Sequence, residues 1–187
     1  MKLTPTASQT VGPYLHIGLT DRHSVGSIAG DRTVGQRIRL RCRVFDSKGQ
    51  PVPDAMLELW QADAEGHYSH RDDPRPNPGF GGFGRLATNT EGACTFETIR
   101  PGRVAAPDGR LQAPHINVSV FARGLLKRLA TRIYFEQEPA NETDPILSLV
   151  PKARRLTLMA QQDPRDPATW HFEVRLRGEG ETVFFDI

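Results

Sequence analysis

The chain has 187 residues, 37% of them apolar and 25% charged, which suits one soluble globular domain large enough to bury a core of its own. A net charge of +2 lacks the concentrated basic footprint of a nucleic-acid binder, and no apolar run approaches the length needed to span a bilayer. Two cysteines give no disulfide framework, and Met1-Lys2-Leu3-Thr4-Pro5 shows no apolar leader core, so free thiols and a cytoplasmic location are expected.

In chain order, the first 20 residues read as an arm rich in Pro, Ser, Thr and Gly, broken at Gly12-Pro13, whose few apolar groups need a surface to lie on. A polar stretch from Asp21 to Gly35 leads into the clearest strand, Arg37 to Phe45. There Ile38, Leu40, Cys42 and Val44 alternate with four arginines, which read as a solvated face. Further strand-like runs are Met56 to Gln61, Gly84 to Thr88, Ala93 to Ile99, His115 to Phe121, Leu129 to Phe135, Trp170 to Arg177 and Thr182 to Phe185. The Pro- and Gly-rich segment Asp72 to Gly84 is a long loop, and Pro145 to Gln161 has room for a short helix interrupted at Pro151. Many short strands separated by turn residues predict an all-β, mixed-topology β-sandwich with long loops and at most short helices.

The residues able to carry chemistry form a metal site that looks half built. Alternate strand residues share a face, so His115 and residue 117 in Ala113-Pro114-His115-Ile116-Asn117 point at one spot, and a second histidine there would complete a clamp. Residue 117 is Asn, a poor ligand for a hard, highly charged ion, and one histidine does not hold a metal. Tyr68, after a strand that runs into the turn at Gly66, offers a phenol at the mouth of the sandwich or simply a packed ring whose hydroxyl meets the backbone. His67 and His70 flank it as a weak metal pair. No phosphate-binding loop, nucleophile elbow or helical His-Glu-x-x-His is present.

The run from Leu40 through Leu57-Glu58-Leu59-Trp60 to Gly66-His67-Tyr68 resembles the signature of the intradiol ring-cleavage dioxygenases. Ala113-Pro114-His115-Ile116-Asn117 falls where that family carries a His-x-His. The likeness covers nearly the whole chain. More narrowly, Ser8 to Gly18, Phe121-Ala122-Arg123-Gly124 and Gly178 to Asp186 resemble the α-type chains of two-chain members that cleave protocatechuate. Catalytic members hold Fe(III) with two tyrosinates and two histidines. Here Tyr68 and His115 stand at two of those positions, while Val104 replaces the second Tyr and Asn117 the second His; Cys42 stands where the signature usually has Gly.

The resemblance therefore implies no metal and no complete catalytic set on this chain, with Fe(III) held by a homologous iron-binding β chain in a higher-order α/β hetero-oligomer. It further implies that Thr10, Gly12, Pro13 and Arg123 line the pocket opposite that iron, where protocatechuate and O₂ react to give 3-carboxy-cis,cis-muconate. Two other readings stay open. One is a homo-oligomeric catechol dioxygenase with an atypical site of Tyr68, His115 and His67 or His70. The other is a non-enzymatic sandwich that binds a ligand or serves as a scaffold.

Overall fold

The computed structural model describes residues 6–69, 77–106 and 108–186. Its strands, in chain order, are β1 Arg37–Phe45, β2 Met56–Gln61, β3 Phe83–Ala87, β4 Ala93–Ile99, β5 Val104–Ala105, β6 Leu111–Gln112, β7 His115–Phe121, β8 Leu129–Phe135, β9 Met159–Gln162 and β10 Thr169–Arg175. In β1 the alternating pattern does what it predicts: Ile38, Leu40, Cys42 and Val44 are buried while the four arginines face outward. Cys42 and Cys94 stand directly opposite each other across β1 and β4, both as free thiols. The hydrogen-bonded Cys94 thiol, and then burial, push the Cys42 pKa up, so it stays protonated.

Eight strands form one ladder in the order β3-β2-β7-β8-β9-β10-β1-β4, and β5 pairs with β6 as a separate ribbon. The ladder turns a corner at β9. Met159 and Ala160 pair in parallel with Tyr134 and Phe135 of β8, whereas Gln161 and Gln162 pair antiparallel with His171 and Trp170 of β10. The β3-β2-β7-β8 half is thereby laid over the β10-β1-β4 half. Leu57, Leu59, Val118, Val120, Ile133 and Phe135 from one face meet Leu40, Cys42, Val44, Phe96, Phe172 and Val174 from the other in a single core. Each such buried aliphatic or aromatic side chain contributes about 1.5–3 kcal/mol. This is the expected all-β sandwich, of mixed topology: β1–β10 and β8–β9 pair in parallel and the other strand pairs are antiparallel.

Local differences from the sequence expectations have identifiable causes. Pro145 to Gln161 forms no α-helix: two 3₁₀ segments, Leu147–Leu149 and Lys152–Leu158, flank Pro151 and run into β9. Val150 must stay extended before a proline. The buried Asp144 carboxylate fixes the start of this region by accepting the Ile146 and Leu147 amides at 2.9 and 2.6 Å. Thr182 to Phe185 is not a strand. Thr182 bonds back to Arg175, and only Phe185 makes a bridge, to Ala130. The arm is not extended throughout: it turns at Gly12-Pro13 into a π-helical turn, Leu15–Thr20, whose Asp21 amide reaches the His16 carbonyl. Among the described residues no helix is long and apolar enough to cross a membrane.

Candidate functional site

Two glycines bring the Tyr68 turn and the Val104 segment into contact. Gly66 has φ +88°, and a Cβ there would overlap the Arg103 carbonyl; a Cβ on Gly102 would overlap the Ala64 carbonyl. Only glycine tolerates both the left-handed backbone and this approach. The turn is pinned by Asp63, whose Oδ1 accepts the Glu65 and His67 amides at 2.9 and 3.0 Å, while Gly102 N–H donates to the Asp63 carbonyl at 2.7 Å. Tyr68 then bridges back to Ala62 at the end of β2 and stacks on Trp60, with ring centroids 5.8 Å apart and planes 11° from parallel.

Strand β7 supplies the other half. His115 is almost completely buried, and its Nδ1 lies 2.7 Å from the Ala113 carbonyl, so Nδ1 carries the proton and Nε2 is the acceptor. The Tyr68 hydroxyl lies 3.3 Å from that Nε2 and donates to it. The Asn117 side-chain amide in turn donates to the Tyr68 oxygen at 2.9 Å, and its reach extends to the Trp60 carbonyl at 3.3 Å. A hydrogen-bond relay therefore runs from Asn117 through Tyr68 and His115 to the Ala113 backbone. On its far side His115 packs on Tyr134, whose hydroxyl donates to Asp144 at 3.2 Å.

Electrostatics keeps the relay neutral. Burial, reinforced by the Arg132 guanidinium, holds the His115 pKa down to about 4. Burial pushes the Tyr68 phenol above its ordinary value although the Asn117 bond opposes it, and burial together with the Asp144 charge raises Tyr134. A ferric ion needs anionic oxygen and imidazole in a set of about four ligands. This site offers one protonated phenol and one imidazole whose free lone pair already accepts from it. Val104 adds hydrocarbon, and Asn117 presents N–H rather than oxygen. These residues do not fit the ion. Among the described residues no group of three or more His, Cys, Asp or Glu side chains is arranged to hold a metal. His67 turns toward the acids of its own turn, 3.7 Å from Glu65 and 3.9 Å from Asp63, and His70 lies outside the described residues.

The remaining sequence-selected residues gather elsewhere. Thr10 Oγ1 accepts the Gly124 amide at 2.8 Å, which ties the arm to the loop after β7. Gly12, Pro13 and Arg123 line a cleft of about 340 Å³ there. His16 and Asp54 line the same cleft and pair with each other at 3.4 Å. Among the described residues a Cβ on Gly12 would meet nothing within 4 Å, so their packing does not require glycine at that position. Strand β7 begins at His115 and ends two residues before Arg123, which separates the cleft from the relay by about 20 Å along the strand. The two groups cannot form one centre within the chain. Sequence reasoning missed Trp60, Arg132, Asp144, His16 and Asp54. The β2–β7–β8 register sets Trp60 and Arg132 on either side of Asn117, a placement that no local pattern announces.

Residues 11–178 match the family described as Dioxygenase (Dioxygenase_C). The chain is 43% identical to the protocatechuate 3,4-dioxygenase alpha chain of Burkholderia cepacia, across 99% of this chain and 98% of that one. It is 33% identical to the beta chain from the same organism, across 83% of this chain and 71% of that one. Among solved structures, the dioxygenase domain of a dioxygenase carbohydrate-binding protein fusion from Streptomyces sp. SirexAA-E superposes with a TM-score of 0.63 at 25% identity. That match covers 92% of this chain and 99% of the domain.

Proposed function

Because the chain belongs to the intradiol dioxygenase family, we propose that it is the iron-free α component of a two-chain protocatechuate 3,4-dioxygenase, a cytoplasmic enzyme active only with its β partner. The observation that carries this reading is the division of the chain into two unlike ends. At one end the ligand remnants Tyr68 and His115 are hydrogen-bonded to each other and spent. At the other, Gly12, Pro13 and Arg123 line an open cleft with room beside the glycine that none of the described residues fills.

On this reading the ferric ion belongs to the homologous β chain, and the arm and Arg123 close the pocket over it in a higher-order α/β hetero-oligomer. Cleavage joins protocatechuate and O₂ to give 3-carboxy-cis,cis-muconate. This chain supplies shape and charge. Gly12 lets substrate or partner approach the backbone, Pro13 fixes the turn, and Thr10 holds the arm to the body through the Gly124 amide. The Arg123 guanidinium has no ion-pair partner among the described residues. It is the group to meet the substrate carboxylate, an interaction worth about 1.5–3 kcal/mol when charge-assisted. Holding the substrate in register is itself a large share of catalysis, so an iron-free wall governs rate.

Metal analysis tests the proposal. The chain purified alone should carry negligible iron, show no visible tyrosinate-to-iron absorption and cleave nothing. Mixed with the β chain it should form a stable complex whose iron matches the β content and which opens protocatechuate. Stoichiometric iron or a charge-transfer band in the chain alone would overturn the assignment.

A further inference from the structure

The outer face of the β3-β2-β7-β8 half carries a second feature that neither the fold nor ring cleavage explains. Phe83, Trp60, Asn117 and Arg132 stand directly opposite one another on β3, β2, β7 and β8, forming a row that is aromatic at one end and cationic at the other. The row lies in a cleft of about 520 Å³, with Arg128 also on its wall and Leu149, three-quarters exposed, at its rim. Trp60 keeps 38% of its surface open although one of its faces is covered by Tyr68.

Charge on this face is unbalanced. Arg132 Nη1 donates to the Gln112 side-chain oxygen at 2.7 Å and Arg128 Nη1 to the Ser119 hydroxyl at 3.4 Å, both neutral acceptors. The two acids in the cleft are engaged by other cations: Glu58 by Arg85 and Asp186 by Lys127 at 3.4 Å. Among the described residues neither Arg128 nor Arg132 has an ion-pair partner. The Gln112 bond also holds the Arg132 guanidinium in place, so its planar fork is fixed on the wall of the cleft that the indole shares, with Asn117 between the two, rather than loose in solvent.

An open indole that shares one cleft with two uncompensated guanidinium groups is complementary to a flat ring that bears a carboxylate. We propose that this face binds a single-ring aromatic carboxylate, its ring laid along Trp60 and Phe83 and its carboxylate on Arg132, with Arg128 adding long-range attraction. The cleft falls within the roughly 300–1,000 Å³ of small-molecule sites. Nothing in the arrangement depends on iron or on ring cleavage.

The full-length chain, labelled with ¹⁵N and titrated with 4-hydroxybenzoate, reads this directly. Its two indole N–H signals separate the site from the core, since Trp60 is open and Trp170 is buried. Saturable movement of the Trp60 signal with Trp170 still is the expected result. Phenol, which lacks the carboxylate, should bind at least tenfold more weakly. So should the acid to Arg132→Gln, while Arg128→Gln weakens it by a smaller factor with both indoles otherwise unmoved. No saturable shift, equal response to phenol, or unchanged affinity in both arginine variants would overturn the site. Calorimetry on the assembled α/β pair decides whether the face is instead covered by protein: two acid sites per pair, one abolished by Arg132→Gln, support the proposal, and one site insensitive to Arg132 refutes it.

Discussion

Replacing His115 by Gln removes a titration as well as two hydrogen bonds, and the two effects separate with pH. The folded pKa is held at about 4 by burial and by Arg132, against about 6.5 in the unfolded chain. With the folded value the lower one, the unfolded chain binds the extra proton between these limits, so stability rises with pH across that window. The penalty is absent above about pH 6.5, grows as pH falls, and is complete below about pH 4, where it amounts to about 3 kcal/mol. Because His115 is only 1% exposed, solvent screening takes little from that figure. At neutral pH, Gln cannot reach both the Ala113 carbonyl and the Tyr68 hydroxyl, which costs about 1–3 kcal/mol. Urea unfolding of the chain and of His115→Gln should therefore show the variant less stable at about pH 7 and the gap closing or reversing by about pH 4.5. The Tyr68 and Tyr134 phenols, both raised above their ordinary values, stay protonated across this range in both proteins and cancel in the difference. Two stability curves that stay parallel over this range would mean that His115 is not a buried neutral imidazole, and the relay would have to be abandoned.

Tyr68→Phe leaves the Asn117 amide and His115 Nε2 without their shared partner and should cost about 1–2 kcal/mol in chemical denaturation, while turnover of the assembled pair stays within twofold of the parent's, about 0.4 kcal/mol on the barrier. Gly66→Ala forces a side chain into left-handed backbone against the Arg103 carbonyl; a loss of at least about 2 kcal/mol is expected, read as a fall in Tm of the chain. Gly12→Ala should leave the melting of the chain unchanged within about 0.5 kcal/mol, since the new methyl meets nothing, yet lower kcat/KM of the pair at least about tenfold. Normal activity in that variant would remove the arm from the pocket. Arg123→Ala in the pair should raise KM for protocatechuate about tenfold or more and leave the residual cleavage of catechol, which has no carboxylate, unchanged; an equal loss on both substrates would assign Arg123 to assembly instead.

Periodicity made most of the sandwich legible. Seven of the eight strand-like runs are strands, because each is a short alternating segment bounded by turn residues, and that pattern needs no tertiary context. What escaped depends on distant partners. β9 is four residues long and polar at its end, and it exists only because β8 and β10 lie on either side of it. Thr182 to Phe185 carries a strand's composition, but its first residue is held by Arg175 rather than by a ladder. The candidate site divides in the same way. Tyr68, His115, Asn117 and Val104 could be named from local sequence, and the meeting of Thr10, Gly12, Pro13 and Arg123 was implied by resemblance. The Trp60–Asn117–Arg132 row could not be named, since it is a consequence of register across three strands.

The relay also bears on how a metal centre can be lost without the fold suffering. Removing iron from four ligands leaves buried polar groups with no partner, each costing about 1–3 kcal/mol, and a hollow where the ion was. Replacing one tyrosine by Val104 fills space with hydrocarbon at a position 7% exposed. Replacing a histidine by Asn117 does something more specific, because the amide is a donor and reaches the Tyr68 oxygen that a metal would otherwise hold. Tyr68 is then free to donate to His115, whose other nitrogen is already satisfied by Ala113. Every polar atom of the old set acquires a neutral partner through two substitutions. On this argument Asn117 and Val104 are not interchangeable losses. Asn117→His alone should be more destabilising than Val104→Tyr alone, since it removes the amide that donates to Tyr68 among the described residues and sets a second imidazole near Arg132. Thermal melts of the two variants with and without ferric ion decide the matter, and a Val104→Tyr variant that melts lower than Asn117→His would contradict it.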